Sequence, residues 1–205
     1  MTARAKELLV VLRLKPNDKL CSAFRKIGEE NGSSDWGIGD VYYGSIVEWI
    51  IQSRKGIRKF KNFEILQAVD MSRTENVKPD YIFIGDTGEK DEEAAERIIK
   101  AHKNMKAVFL HVVSSASDRS KLPPIPQDRK FDGVPIYYFR TYVGAAVKAA
   151  RNGLISKDGL LRVMSRAESD LLINYPKSKE RNPPSMLESK WKEIEADIAE
   201  IKYVQ

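Results

Sequence analysis

The sequence predicts an α/β fold of Rossmann-like type, a mainly parallel sheet with helices on both faces, followed by a C-terminal helical tail. Three observations predict it. Asp80–Ile84, Ala107–Val113 and Val134–Phe139 are short and almost continuously apolar, the pattern of strands buried on both sides. Helix-patterned stretches alternate with them, as a parallel sheet with crossover helices requires. The last segment carries Trp191, Ile194, Ile198 and Ile201 at helical spacing.

The elements follow in order. Leu8–Leu14 is rich in Val and Leu and reads as a strand ended by Pro16, Asn17 and Asp18. Asp18 then caps a helix to about Glu30. Residues 31–40 carry turn chemistry. Tyr43–Ser53 is apolar without a decisive period, so strand and helix stay open there. Lys59–Val69 places Phe60, Phe63 and Leu66 on one side and reads as a helix. The strand at 80–84 is followed by Gly85 and a helix from Asp91 to His102. After the second strand, residues 114–133 form a long, polar, Pro-rich loop, expected as a lid or a partner-binding arm. The third strand leads to a helix over Val143–Arg151, closed by Gly153, and another helix spans Leu160–Tyr175. Residues 1–175 are thus expected as the α/β domain. Residues 176–205 are expected as a polar hinge and an amphipathic helix, which docks on its own core or on a protein partner.

Composition narrows the function classes. The chain has 205 residues, 42% of them hydrophobic and 31% charged, enough for a core and a well-solvated surface. No stretch approaches transmembrane length, and the apolar start lacks a small-residue cleavage site. The expectation is a soluble, intracellular protein that does not span a membrane, in the cytoplasm or an organelle interior. One cysteine, Cys21, rules out a disulfide or a Cys-based zinc site within the chain. The net charge of +6 suits an anionic ligand, but the basic residues are scattered and carry no recognition motif. Nucleic acid is therefore not an expected partner.

The segment that bears chemistry is Gly85-Asp86-Thr87-Gly88-Glu89-Lys90-Asp91, directly after an apolar strand. Open parallel sheets bind ligands at the carboxyl ends of their strands. Two carboxylates there, Asp86 and Asp91, suit an oxygen-seeking cation such as Mg²⁺, while Gly85 and Gly88 permit a tight turn. The same residues also read as turn chemistry, with Asp91 a helix N-cap. Arg140, just after the third strand, is expected either to face the same ligand edge or to pair with Asp86. His111 reads as an interior histidine, and His102 as a helix C-terminal one.

The Gly-Asp-x-x-x-x-Asp motif resembles the fourth motif of the haloacid dehalogenase superfamily. IFIGDTGEKDEEAAERI followed by AVFLHVVS is similar, more narrowly, to the phosphatidate phosphatase branch of actin-patch-type proteins. Lys59-Phe60-Lys61-Asn62-Phe63 resembles the lysine-bearing helix of that branch, and Tyr138–Ala146 with Gly153-Leu154-Ile155 its closing strand–helix unit. The resemblance covers about residues 40–160. It implies that Asp86 and Asp91 bind Mg²⁺, that Lys59 holds the phosphoryl group, and that the reaction passes through an aspartyl phosphate.

The chain departs from that pattern in one decisive place. The superfamily's first strand ends in Asp-x-Asp, whose first aspartate is the nucleophile, and no Asp-x-Asp occurs in this chain. LLVVLRLKP offers Arg13 and Lys15 instead, and only Ser45 is a candidate for the second motif. The fold is therefore expected to be an incomplete haloacid-dehalogenase-like one. The expected function is a degenerate, non-catalytic binding or structural subunit of a larger assembly, contacting proteins through its C-terminal helix and the 114–133 loop. The alternative is an active Mg²⁺-dependent phosphatase acting on a phospholipid or another phosphomonoester.

Overall fold

The computed structural model describes residues 14–34, 36–43, 55–74, 78–114, 123–174 and 185–200. The expected strand at 8–14 lies almost wholly outside the described residues. So do Arg13, Ser45, most of the ambiguous 43–53 segment, residues 115–122 of the 114–133 loop and the 176–184 hinge. Six helices and four strands are described: α1 (Lys19–Glu30), α2 (Lys55–Arg73), β1 (Tyr81–Asp86), α3 (Asp91–Ala101), β2 (Met105–His111), β3 (Arg129–Phe131), β4 (Val134–Phe139), α4 (Tyr142–Arg151), α5 (Lys157–Asn174) and α6 (Ser185–Glu200). The sheet has the order β1-β2-β4-β3 and is mostly parallel. No described helix is long and apolar enough to cross a membrane.

The chain forms two compact units. One comprises Met1–Tyr81 with Glu89–Met105, the other Ile82–Gly88 with Lys106–Gln205.

In the first unit α2 and α3 pack together. Helix α3 buries Ala94, Ala95, Ile98 and Ile99, an i, i+1, i+4, i+5 stripe typical of a core-facing helix. Its first turn carries Asp91, Glu92 and Glu93, and Lys100 lies in its last, so both ends suit the helix dipole. Helix α2 begins four residues before the expected Lys59, because its opening turn is basic and glycine-containing rather than apolar. Gly56 is needed there: a Cβ would come within 3.0–3.2 Å of the Glu93 side chain. Phe63 packs edge-on against Tyr81, whose hydroxyl donates to Asp70 at 2.8 Å.

In the second unit β2 pairs in parallel with β4, Phe109 opposite Tyr137 and His111 opposite Phe139. Ala107, Phe109, Tyr137 and Phe139 pack with Ala145 and Ala149 of α4 and with Leu154. Val108, Leu110 and Ile136 on the opposite face are also fully buried, so β2 and β4 are covered on both sides. Strand β1 corrects that expectation. Among the described residues it stands at the end of the sheet, and Ile82 and Ile84 are 46% and 70% exposed. The exposure of these two side chains is not something the apolar run alone could reveal.

The 114–133 loop is shorter than expected. Its last residues form β3, antiparallel to β4. Asp132 (φ 46°) and Gly133 (φ 84°) make the two-residue turn, both in the left-handed region that a hairpin of this length requires. Asp128, just before β3, accepts from the Tyr138 backbone N–H at 2.9 Å and from Lys148 Nζ at 2.7 Å.

The tail helix α6 docks on its own chain. Ile194 and Ile198 pack on Val143, Ala146, Val147 and Leu160 of α4 and α5. Each such side chain removed from water contributes roughly 1.5–3 kcal/mol when burial is complete. Ile194 and Ile198 of the stripe thus face this core.

Candidate functional site

Within the first unit, Lys55, Arg58 and Lys59 follow one another at i, i+3 and i+4, which places three cations on one face of α2. All three are buried. Burying ammonium groups is costly unless carboxylates and hydrogen bonds replace water, and the turn before α3 supplies them. Lys55 Nζ donates to Glu89 Oε1 at 3.0 Å. Lys59 Nζ donates to the Glu89 carbonyl at 3.2 Å and to Asp91 Oδ1, with Glu89 Oε2 at 3.9 Å. Lys59 and Asp91 side chains are 8% and 7% exposed, so this is a closed ion pair. The hydrogen bond from Lys55 holds the Glu89 carboxyl below the usual carboxylate range. Partial burial opposes that shift, and the charges of Lys55, Lys59 and Arg58 reinforce it.

Lys90 shapes this turn. It adopts φ 63°, ψ 27° and occupies the N-cap position of α3 without a side-chain cap. A left-handed lysine is uncommon and costs about 1–2 kcal/mol. Asp91 is consequently the first helical residue and not the N-cap, and its carboxylate goes to Lys59.

Within the second unit, Asp86 ends β1. Its Oδ1 accepts the Gly88 backbone N–H at 2.7 Å, closing an Asx turn. Thr87 bridges to β2: its N–H donates to the His111 carbonyl at 3.0 Å, and its Oγ1 accepts from the Val113 N–H at 3.2 Å. Gly88 is there for space. A Cβ would lie 3.1 Å from Val113 Cγ2 and 3.2 Å from Asp86 Oδ1. Gly85 continues the strand, half-buried.

The ends of β2 and β4 lie side by side. His111 Nε2 bonds the Arg140 carbonyl at 3.1 Å, and its ring stacks on Phe139 and Tyr142. Arg140 does not take the expected pairing with Asp86. Its guanidinium donates to Glu193 of α6 and to the Pro123 carbonyl. Thr141 caps α4: its Oγ1 accepts the Gly144 N–H at 2.9 Å while its hydroxyl donates to Asp197 of α6. Gly144 makes room, since a Cβ there would meet the Asp197 carboxylate at 2.9–3.1 Å.

The expected residues therefore divide. Lys59 and Asp91 meet within the first unit, and Gly85, Asp86, Thr87, Gly88 and Arg140 belong to the second. Among the described residues, no group of three or more His, Cys, Asp or Glu side chains gathers as a cation site would need. Sequence reasoning missed Lys55, Arg58 and Glu89. The i, i+3, i+4 spacing of the three cations was a usable signal. The role of Glu89 was not readable, because its partner lies 34 positions earlier.

No family model, curated protein or solved structure matches this chain.

Proposed function

We propose that this chain is a degenerate haloacid-dehalogenase-like protein that serves as a non-catalytic binding or structural subunit in a larger protein assembly. The observation that carries the proposal is the buried Lys59–Asp91 ion pair. By the resemblance, Lys59 would hold a phosphoryl group and Asp91 a metal ion; here each neutralises the other. The residues do not fit a resident Mg²⁺. Asp91 is taken by an ammonium, Asp86 Oδ1 accepts a backbone N–H, and the sequence has no Asp-x-Asp to add carboxylates or a nucleophile. A hard divalent cation held by protein needs several oxygen donors converging on one point.

The test is phosphate release from an aryl phosphate and from phosphatidate, with and without Mg²⁺, by purified protein and by Asp86→Ala. The proposal expects no release above buffer from either protein. Mg²⁺-dependent release that disappears in Asp86→Ala would overturn it and establish the alternative, an active phosphatase.

A further inference from the structure

Arg140 directly follows the last residue of β4, and Thr141 caps α4 beside it. Open parallel sheets present ligands at this end of their strands. The first turn of α4 adds the positive end of a helix dipole. Helix α6 lays two carboxylates over this corner, one turn apart. Glu193 meets the Arg140 guanidinium, and Asp197 meets the Thr141 hydroxyl. Gly144 lets the second carboxylate approach the helix backbone, since a Cβ would stand 2.9–3.1 Å from it. All these residues belong to the second unit.

The carboxylates of α6 do not fill the corner. The Arg140 side chain is 16% exposed; one of its nitrogens goes to Glu193 and one to the Pro123 carbonyl. The third, Nε, is buried and meets no acceptor among the described residues. A buried N–H without an acceptor is costly. A phosphate dianion matches the corner better. It gathers the charge of both carboxylates on one group with three acceptor oxygens. Arginine is the side chain that grips such a group through two nitrogens at once. The covering helix is also lightly held. Of the α6 side chains at 191–199, none is fully buried, Ile194 and Ile198 included. An element with so little buried apolar surface opens ahead of the rest of a fold.

We infer that Arg140, Thr141 and the first turn of α4 form a binding site for a dianionic phosphate group, and that α6 closes it, with Glu193 and Asp197 standing in for the ligand's charge. Ligand and helix exclude one another, so binding releases α6. The site is separate from the Lys59–Asp91 pair and does not rest on the proposed function.

Hydrogen exchange of residues 191–199 in the full chain tests this, with phosphate compared against chloride at the same ionic strength. Phosphate should accelerate exchange, by about tenfold at about ten times the dissociation constant of the opened site, and chloride should not. Calorimetry on Glu193→Gln/Asp197→Asn supplies that constant. This variant lacks the internal carboxylates and should bind phosphate saturably. Adding Arg140→Gln to it should abolish the binding. Glycerol phosphate in a parallel titration distinguishes a small ester from the free ion, and saturable binding of either supports the site. If the double variant does not fold, the exchange comparison on the parent decides alone. Equal exchange in phosphate and chloride overturns the inference. So does a folded double variant that binds neither anion, or binding that survives Arg140→Gln.

Discussion

Replacing Lys59 by Met removes the ammonium and keeps most of the side chain's volume. The Asp91 carboxylate, 7% exposed, is then left buried without its Lys59 partner. Breaking a buried pair from one side costs about 3–5 kcal/mol, because the remaining charge has been stripped of water. Against a total stability of about 5–15 kcal/mol this is a large fraction. In a chain of this size each kcal/mol moves the melting temperature by about 2–4 °C, so a fall of roughly 6–20 °C is expected. Asp91→Leu should cost less. Lys59 then still has the Glu89 carbonyl at 3.2 Å and the Glu89 carboxylate at 3.9 Å. The double variant Lys59→Met/Asp91→Leu replaces the pair by apolar groups and should lie closer to the parent than Lys59→Met does. The double-mutant cycle should therefore show a coupling of about 2 kcal/mol or more. Urea titrations followed by circular dichroism, with tryptophan fluorescence to check that both probes report one transition, would measure it. Costs that simply add, or a Lys59→Met variant within about 0.5 kcal/mol of the parent, would refute the closed-pair reasoning.

Two further predictions concern other parts of the molecule. Burial lowers the His102 pKa, with Lys78 adding to that shift and Glu64 opposing it; its ring lies against Phe60 and Phe63. The unfolded chain takes up this proton near pH 6.5 and the folded chain resists it, so stability should fall as pH drops through about 6.5. Denaturation midpoints at pH 7.5 and 5.5 should differ less in His102→Gln than in the parent; an unchanged difference would count against the half-buried neutral imidazole. Gly144→Ala should push Asp197 away from Thr141 and loosen α6, since the added Cβ would stand 2.9 Å from the carboxylate. Hydrogen exchange of residues 191–199 should accelerate by about an order of magnitude, given roughly 1–2 kcal/mol for the lost hydrogen bonds. Unchanged exchange there would contradict the docking.

What the sequence disclosed and what it hid divide along physical lines. Strands β2 and β4 were legible because both faces of each are buried, leaving continuous apolar runs. Strand β1 has the same kind of run, but the exposure of Ile82 and Ile84, at the end of the sheet among the described residues, is a matter of topology that composition does not encode. The β3–β4 hairpin was readable from Asp132-Gly133 and was passed over inside a Pro-rich stretch. Asp18 stands at the expected helix cap but spends its carboxylate on the Lys15 N–H, whereas Thr141, not anticipated as a cap, caps α4 with its side chain. The pairings that define the candidate site join distant positions. Lys59 meets Asp91 across 32 residues and Arg140 meets Glu193 across 53, separations over which residue type names no partner. The N-cap reading of Asp91 is off by one position because Lys90, which takes that place, carries no sequence signal for a left-handed conformation.

The most direct test of a site closed by its own ion pair is a calorimetric titration of the purified protein with Mg²⁺, run beside Asp86→Ala. The account predicts the same featureless dilution heat from both proteins. Saturable one-to-one binding by the parent that is lost in Asp86→Ala would contradict it.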